Sequence, residues 1–466
     1  MPVREHSSRM KQISPARKAA FAILLEVERG NGHSDDLLRC EPVAALSERD
    51  SGLATALVLG VLRWQLSLDG RMRPMLKHPG AKLDAEVRVA LRLGAYQLLH
   101  MDRIPAHAAI GESVELAKAA GHRFASGMVN AVLRKLAREA VPVAKATEAH
   151  PQWMLDRWTS IFGADTACAI CCHDQSQPSL AVRIDCLQTE TELTQAGVVL
   201  APGTLLQSAR IVASGDIAVT PAFRKGRVRV QDEGSQLVAE IAGSGLPISP
   251  GAILDCCAAP GGKTMILAER NPQARIVACE VNAERFEGMR LRLAPFGERI
   301  TCRLADATAL DDNDRYDLVL ADVPCSGTGT LGRNPEIRHR LRVDDFTRQT
   351  ERQRAILANA LRATRPGGRV VYSTCSLEPE ENEEVIAAVL REQPDERLLP
   401  VDGRIAEMDT QGILLAGAAE KLNTCVTPEG YLRLFPGAFG TDGFFVAIIE
   451  KSGEPAHYSG GSRSSA

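Results

Sequence analysis

Residues 252–264, Ala-Ile-Leu-Asp-Cys-Cys-Ala-Ala-Pro-Gly-Gly-Lys-Thr, constrain the chain more than any other stretch. Ile253 and Leu254 read as a buried strand that stops at Pro260-Gly261-Gly262, where a helical pattern begins. Glycines at that junction let the backbone turn tightly and approach a ligand without interference from Cβ atoms. Such a loop sits at the carboxyl end of a strand, where open α/β sheets bind their ligands.

Two nucleotide-binding readings compete for this loop. Gly262-Lys263-Thr264 ends like a phosphate-binding P-loop, and residues 317–322 could serve as its Walker B strand, but the position five before Gly262 is Cys257 rather than glycine. The next predicted strand ends in Glu280, about 20 positions past the glycines, where an adenosine ribose expects a carboxylate. That spacing favours a nucleoside cofactor over a triphosphate.

The 466 residues, 45% of them hydrophobic, can bury cores for two or three domains. From residue 230 to 451 strands and helices alternate, which predicts a mostly parallel sheet covered on both faces. Strands are expected at 252–257, 275–280, 299–304, 316–321 and 368–373, and helices at 263–270, 282–294, 345–364 and 380–391. Residues 431–434 and 444–449 are expected to form an antiparallel edge.

Residues 14–140 show apolar positions at helical spacing throughout, with Phe21, Leu24, Leu25 and Val27 on the buried side of the first helix. Arg88, Arg92, Lys118, Arg123, Arg134, Lys135 and Arg138 fall between apolar positions and are expected outside the bundle. Residues 142–151 read as a linker, 152–173 as helical, and 179–185, 189–196 and 227–230 as strand, helix and strand. The expected division is a helical domain at 1–141, a small α+β linker subdomain at 142–229, an α/β catalytic domain at 230–452 and a disordered tail at 453–466.

A net charge of −3 carries no global signature of nucleic-acid binding, so that function must rest on local patches. Arg4, Arg9, Lys11, Arg17, Lys18 and Arg29 make one near the N-terminus. No apolar run is read as long enough for a membrane span, about 20 residues, so the cytoplasm is the expected compartment. Twelve cysteines without a paired framework suggest reduced thiols. Cys168, Cys171, Cys172 and His173 resemble half a zinc site, but no second pair completes it and no metal is expected.

Asp322-Val-Pro-Cys-Ser-Gly327 follows one predicted strand and Tyr372-Ser-Thr-Cys-Ser376 ends another, so an acid and two thiols emerge at the face where Gly261 predicts a ligand. A thiol, an acid and an adenosine-bearing cofactor are together the requirements for methylating carbon 5 of a pyrimidine. That carbon is too weakly nucleophilic until a thiolate adds at carbon 6 and turns the ring into an enamine. A carboxyl group near ring nitrogen 3 stabilises the adduct, and a second thiol can assist release. The residues alone leave open which thiol is the nucleophile. Methylation of an exocyclic amine needs neither thiol, and its Asn/Asp-Pro-Pro-aromatic loop is absent. A non-catalytic RNA-binding regulator using the helical domain remains a third reading.

Cys257-Ala-Ala-Pro-Gly-Gly-Lys263, Asp322-Val-Pro-Cys-Ser-Gly-Thr-Gly329, Arg365-Pro-Gly-Gly-Arg-Val-Val-Tyr-Ser-Thr-Cys-Ser376 and Gly440-Thr-Asp-Gly-Phe-Phe445 together resemble the Sun/Fmu family of RNA cytosine-5 methyltransferases. The first 140 residues resemble the NusB-like helical RNA-binding domain of its bacterial small-subunit ribosomal RNA members. The resemblance implies a Rossmann-like class I methyltransferase domain that uses S-adenosyl-L-methionine on naked or partly assembled small-subunit ribosomal RNA, with no obligate protein partner. It implies Cys375 as nucleophile and Cys325 as the thiol that assists release. Cys257, Ala258, Ala259, Pro260, Gly261, Gly262 and Lys263 would hold the methionine portion of the donor, Glu280 the ribose and Asp306 the adenine. Asp322 would face the methyl group and the target base. Lys263 could equally be a surface residue and Asp306 a turn former. Glu280 stands where the family frequently has Asp. Arg333, Arg338, His339, Arg340 and Arg342 follow the Pro-Cys loop and suit a phosphate backbone. With aromatics at 4%, phosphate and shape contacts are expected to dominate over stacking.

Overall fold

A computed structural model describes residues 13–139, 144–244 and 251–453. Arg4, Arg9, Lys11, Pro142 and residues 454–466 of the expected tail lie outside the described residues. The chain divides into two compact units: the N-terminal part through Gln177 joined by Leu331–Arg340, and the stretches from Pro178 to Thr330 and from Leu341 onward. The division therefore falls elsewhere than at 141 and 229. Residues 152–175 join the helical unit, and the small sheet joins the catalytic one.

The second unit holds two sheets. In chain order its strands are β1 (Ala181–Ile184), β2 (Val199–Pro202), β3 (Ala209–Ser214), β4 (Val228–Val230), β5 (Ala252–Asp255), β6 (Arg275–Glu280), β7 (Ile300–Leu304), β8 (Tyr316–Asp322), β9 (Thr364–Thr374), β10 (Arg397–Leu399), β11 (Leu432–Leu434) and β12 (Phe444–Glu450). The first four form an antiparallel sheet ordered β2-β3-β1-β4. The other eight form the main sheet, ordered β10-β12-β9-β8-β5-β6-β7, with β11 also paired to β12. Its centre, from β7 across to β9, is parallel.

Both faces of that parallel centre are covered, which is why its strands read as continuous apolar runs. Ile253, Ile276, Leu318, Leu320 and Val371 pack into the core on one face. Leu254, Cys279, Val319, Ala321 and Val370 pack into the core on the other. The alternation is the two-residue period of a strand.

Residues 432–434 and 444–450 do pair antiparallel, as β11 and β12, but β12 is not the edge, since it lies between β9 and β10. β10 is only three residues long, too short to leave a periodic signature. β1 is buried along its whole length, including Arg183, which pairs with Glu240 at 2.9 Å and Glu269 at 3.0 Å.

The first unit is a helical bundle built on Pro15–Arg29, Glu48–Met72, Ala85–His100, Ala106–Ala119 and Ser126–Leu136. Phe21, Leu24, Leu25 and Val27 are buried in its core with Leu57, Val61, Leu91 and Val132. The helix through Glu48–Met75 contains an 18-residue window of mean hydropathy 1.3, long and apolar enough to cross a membrane by length and composition alone, although Arg63 interrupts its apolar run. Leu57, Val58, Val61, Leu62 and Leu68 along it belong to the bundle core, so its apolar character is that of a central packing helix.

Arg92, expected outside, is buried instead, with Asp69 at 2.6 Å and Glu28 at 2.7 Å. Arg88 also pairs with Glu28, at 2.5 Å. The helical reading at 152–173 resolves into Gln152–Phe162 and Ala164–Gln175, broken at Gly163 with φ 84°.

The basic segment after the Pro-Cys loop is corrected as well. Residues 331–340 are part of the helical unit, where Arg338 is 1% exposed. Arg340 donates to the carbonyls of Val27 and Gly32 at 2.8 and 2.6 Å, and a ring nitrogen of His339 lies 2.8 Å from the Leu62 carbonyl. Burial lowers the His339 pKa to about 4 and that of Arg338 to about 10. The polar groups of Arg338, His339 and Arg340 are spent on backbone carbonyls, so these three are not charges offered to phosphates, whereas Arg342, next in the run, is exposed.

Candidate active site

β5 ends at Asp255, and residues 256–260 carry the chain over the end of the sheet, where the Ala258 N–H donates to the Cys279 carbonyl at 2.8 Å. Gly261 has φ 102° and caps the helix Gly262–Arg270. A Cβ on Gly261 would stand 3.3 Å from the Leu293 side chain, and one on Gly262 would stand 3.3 Å from Gln231. The positive φ favours glycine at 261, and the Leu293 side chain would have to shift by a few tenths of an ångström to admit a Cβ. Asp255, which sequence reasoning passed over, accepts from Thr264 Oγ1 at 2.7 Å and so pins the strand end to the helix. Burial raises its pKa to about 7.

Glu280 and Asp306 follow at the ends of the next two strands. Glu280 is 5% exposed; its Oε1 accepts from the Asn282 N–H at 2.7 Å. Arg285 links it to the glycine loop, lying 3.6 Å from Glu280 Oε2 and donating to the Ala259 carbonyl at 2.9 Å. Asp306 is exposed, and its Oδ1 accepts both the N–H and the hydroxyl of Thr308, at 2.9 and 2.8 Å. The backbone bond, then the hydroxyl, holds its pKa below the usual range. Asp306 therefore does form the turn, as the bland reading had it, with one of its two oxygens.

The acid and the thiols come from neighbouring strands. β8 and β9 are parallel, with Asp322 opposite Ser373, so the loops that leave them start side by side. Asp322 accepts from Ser373 Oγ at 2.7 Å through Oδ1 and from Lys263 Nζ at 2.7 Å through Oδ2. Burial opposes the Lys263 charge, and Asp322 more than offsets that, leaving its pKa raised. The same ammonium lies 5.5 Å above the centre of the Phe444 ring. Lys263 is thus committed to an acid, which removes the lysine that a P-loop needs for phosphate.

Cys325 and Cys375 are half-buried, with their Sγ atoms 3.4 Å apart. The hydrogen bond with Cys375, followed by burial and the neighbouring charges, pushes the Cys325 pKa well above that of an ordinary thiol. Cys257 is also raised, mainly by burial, which leaves it inert beside the loop. The Gly329 N–H donates to the Cys375 carbonyl at 2.9 Å, and a Cβ on Gly329 would lie 2.6 Å from the Gly443 carbonyl. The last sequence motif, residues 440–445, therefore packs directly behind the thiol loops.

One end of the sheet thus gathers the glycine loop, two carboxylates suited to ribose and base, and a pair of thiols beside an acid. Sequence reasoning missed the residues that tie these parts together: Asp255, Ser373, Gln353 and Glu381. Each lies outside the chemistry it supports. Glu381 alone carried a signal in the sequence, as an acid six residues after Cys375. Among the described residues no group of three or more His, Cys, Asp or Glu side chains converges as a metal site.

The family model for 16S rRNA methyltransferase RsmB/F matches residues 247–450, and the NusB family model matches residues 14–138. The ribosomal RNA small subunit methyltransferase B of Xanthomonas campestris is 32% identical over 94% of this chain and 97% of its own length. That of Pseudomonas putida is 34% identical over 82% of this chain and 90% of its own. The chain belongs to the RsmB/F methyltransferase family. In the crystal structure of PH0851 the same fold is seen at TM-score 0.75, with 24% identity over 95% of this chain and 100% of that one. Members of the RsmB/F family transfer a methyl group from S-adenosylmethionine to RNA, and this chain is such an enzyme.

Proposed function

We propose that the protein methylates carbon 5 of a specific cytosine in small-subunit ribosomal RNA through a covalent bond between Cys375 and carbon 6. The observation that carries the reading is the pair of half-buried thiols 3.4 Å apart, beside the Lys263–Asp322 pair. A methyltransferase acting on an exocyclic amine needs neither thiol. The relatives from Xanthomonas and Pseudomonas are named for the small-subunit RNA, which supplies the substrate class.

The donor would lie across residues 257–263, with Glu280 at its ribose, Asp306 at its adenine and Asp322 toward its methyl end. S-adenosylmethionine supplies a methyl group on a cationic sulfur. Cys375 adds as thiolate to carbon 6, and the negative charge that spreads to ring nitrogen 3 is met by a proton passed from Lys263 through Asp322. While Cys375 is ionised, Cys325 keeps its proton and steadies that charge. Once Cys375 is a neutral thioether, its hydrogen bond and its charge, two of the causes that held the Cys325 proton, are gone, and Cys325 releases that proton to solvent. With the methyl group in place on carbon 5, Cys325 takes the remaining proton from that carbon, Cys375 leaves as thiolate, and nitrogen 3 returns its proton to the Asp322–Lys263 pair. The target base must leave its stack to reach Cys375.

The test uses the purified protein, labelled S-adenosylmethionine and small-subunit ribosomal RNA. Cys375→Ala abolishes transfer, and Cys325→Ala accumulates an RNA–protein adduct that survives denaturing electrophoresis. Full activity in Cys375→Ala would sink the proposal, and an adduct that appears only on replacing Cys375 would exchange the two roles. Bisulfite sequencing of ribosomal RNA from a deletion strain identifies the base.

A further inference from the structure

The two thiol loops are joined by a side chain that belongs to neither. Glu381 ends the short turn Pro379–Glu381 and is fully buried. Its Oε1 accepts from the Ser326 N–H at 2.8 Å and from Gln353 Nε2 at 3.0 Å. Its Oε2 accepts from the hydroxyls of both Ser326 and Ser376. Those serines immediately follow Cys325 and Cys375, and their hydroxyl oxygens are 3.1 Å apart, alongside sulfurs that are 3.4 Å apart. Gln353 extends the link by donating to the Pro324 carbonyl at 3.0 Å, and the Tyr372 hydroxyl donates to the Glu381 carbonyl at 2.6 Å.

A carboxylate sealed from water is costly unless donors surround it, and burial does raise the Glu381 pKa. Its carboxylate accepts from one backbone N–H and three side-chain donors of Ser326, Gln353 and Ser376, so what the group accomplishes there is the joining of these elements. Cys375 has anchors of its own, because it directly follows β9 and its carbonyl accepts from Gly329. Cys325 leaves β8 through a proline turn and depends more on the bridge at Ser326.

We propose that Glu381 is a positioning residue that clamps the Pro-Cys-Ser and Thr-Cys-Ser turns together, keeping Cys325 within reach of the target ring while Cys375 is bonded to it. The inference rests on the two-thiol reading above. Removing the clamp lets the Cys325 turn drift while Cys375 still adds, so release slows more than addition.

The experiment compares Glu381→Ala, Glu381→Gln and Ser326→Ala in the full chain, with Cys325→Ala as reference. The readouts are multiple-turnover rate, denaturation-resistant RNA adduct and S-adenosylmethionine affinity. Glu381→Ala is expected to lose at least about tenfold in turnover, to accumulate adduct toward the Cys325→Ala level, and to keep donor affinity within about twofold. Glu381→Gln keeps an acceptor for the N–H groups and an amide donor for the hydroxyl oxygens, so it restores most of the turnover. Wild-type turnover in Glu381→Ala overturns the proposal, as does loss of both turnover and adduct, or a Gln variant that traps as strongly as Ala. Should Glu381→Ala fail to fold, Ser326→Ala decides: trapped adduct supports the clamp, and wild-type release overturns it. Absence of adduct in Cys325→Ala itself would instead bring down the two-thiol chemistry.

Discussion

Lys263 and Asp322 meet at 2.7 Å although one opens the helix after β5 and the other ends β8. The pair closes the gap between the glycine loop and the thiol loops, and each member is only partly exposed, at 15% and 24% of its side chain. An ion pair at this depth is less screened than a surface pair, so removing one partner leaves the other in a poorly solvated place. Cys375 is among the groups that favour the Lys263 charge, so the pair faces at least that thiol.

Replacing the ammonium with an uncharged chain of similar length separates its charge from its packing. Lys263→Met is expected to lower the single-turnover methylation rate by about 10²-fold, the scale of a lost acid–base contribution. Donor affinity, followed by equilibrium binding, should change far less. A rate within threefold of wild type would show that the proton at ring nitrogen 3 does not pass through this pair.

Asp255 makes stability depend on pH. Its ordinary pKa of 3.8 is raised by burial to about 7, against the opposing Thr264 hydrogen bond. The folded chain then binds a proton that the unfolded chain has released, so stability falls as pH rises between those two values, by about 4 kcal/mol over the full window. Asp255→Asn carries no charge at any pH. In urea melts without donor, its stability relative to wild type should improve from pH 5 to about pH 7 and level off above that, and a constant difference from pH 5 to pH 7 would reject the titration.

Much of this site was readable in the sequence because its chemistry sits in short motifs at the ends of continuous apolar strands. The glycine loop, Glu280, Asp306, Asp322 and both thiols are all at one end of the main sheet for that reason. What escaped were contacts that depend on register and depth. Ser373 reaches Asp322 only because β8 and β9 align those two positions, which no local pattern encodes. The Arg338 to Arg340 run looked like a phosphate-facing charge cluster, since composition cannot tell a solvated arginine from one spent on buried carbonyls.

Gly261 offers a test of the loop's geometry. With φ 102° and Leu293 3.3 Å from where a Cβ would stand, Gly261→Ala is expected to cost about 1–3 kcal/mol. It should also weaken S-adenosylmethionine binding at least tenfold in a calorimetric titration. Gly288→Ala is the control, because it lies in the helix Ala283–Leu293 with nothing within 4 Å of the added methyl, so it should be neutral or stabilising by up to about 1 kcal/mol. Equal donor affinity in both variants would show that the loop tolerates a side chain at 261.

The helical unit should be sensitive to a residue that follows the Pro-Cys loop in the chain. Glu336 is 1% exposed and accepts from the Ser34 N–H at 3.1 Å and the Ser34 hydroxyl at 2.8 Å, with His33 at 3.4 Å. Burial works against its charge, and His33 and Ser34 together hold its pKa below the ordinary value, so the group is ionised and its partners depend on it. Glu336→Ala strands a fully buried hydroxyl and N–H and takes the carboxylate from His33, which should destabilise the unit by about 2–4 kcal/mol. Thermal unfolding of the full chain would then begin earlier and in two steps, while the donor affinity of the other unit stays within about twofold. A single transition at the wild-type temperature would mean that residues 331–340 contribute little to holding the helices together.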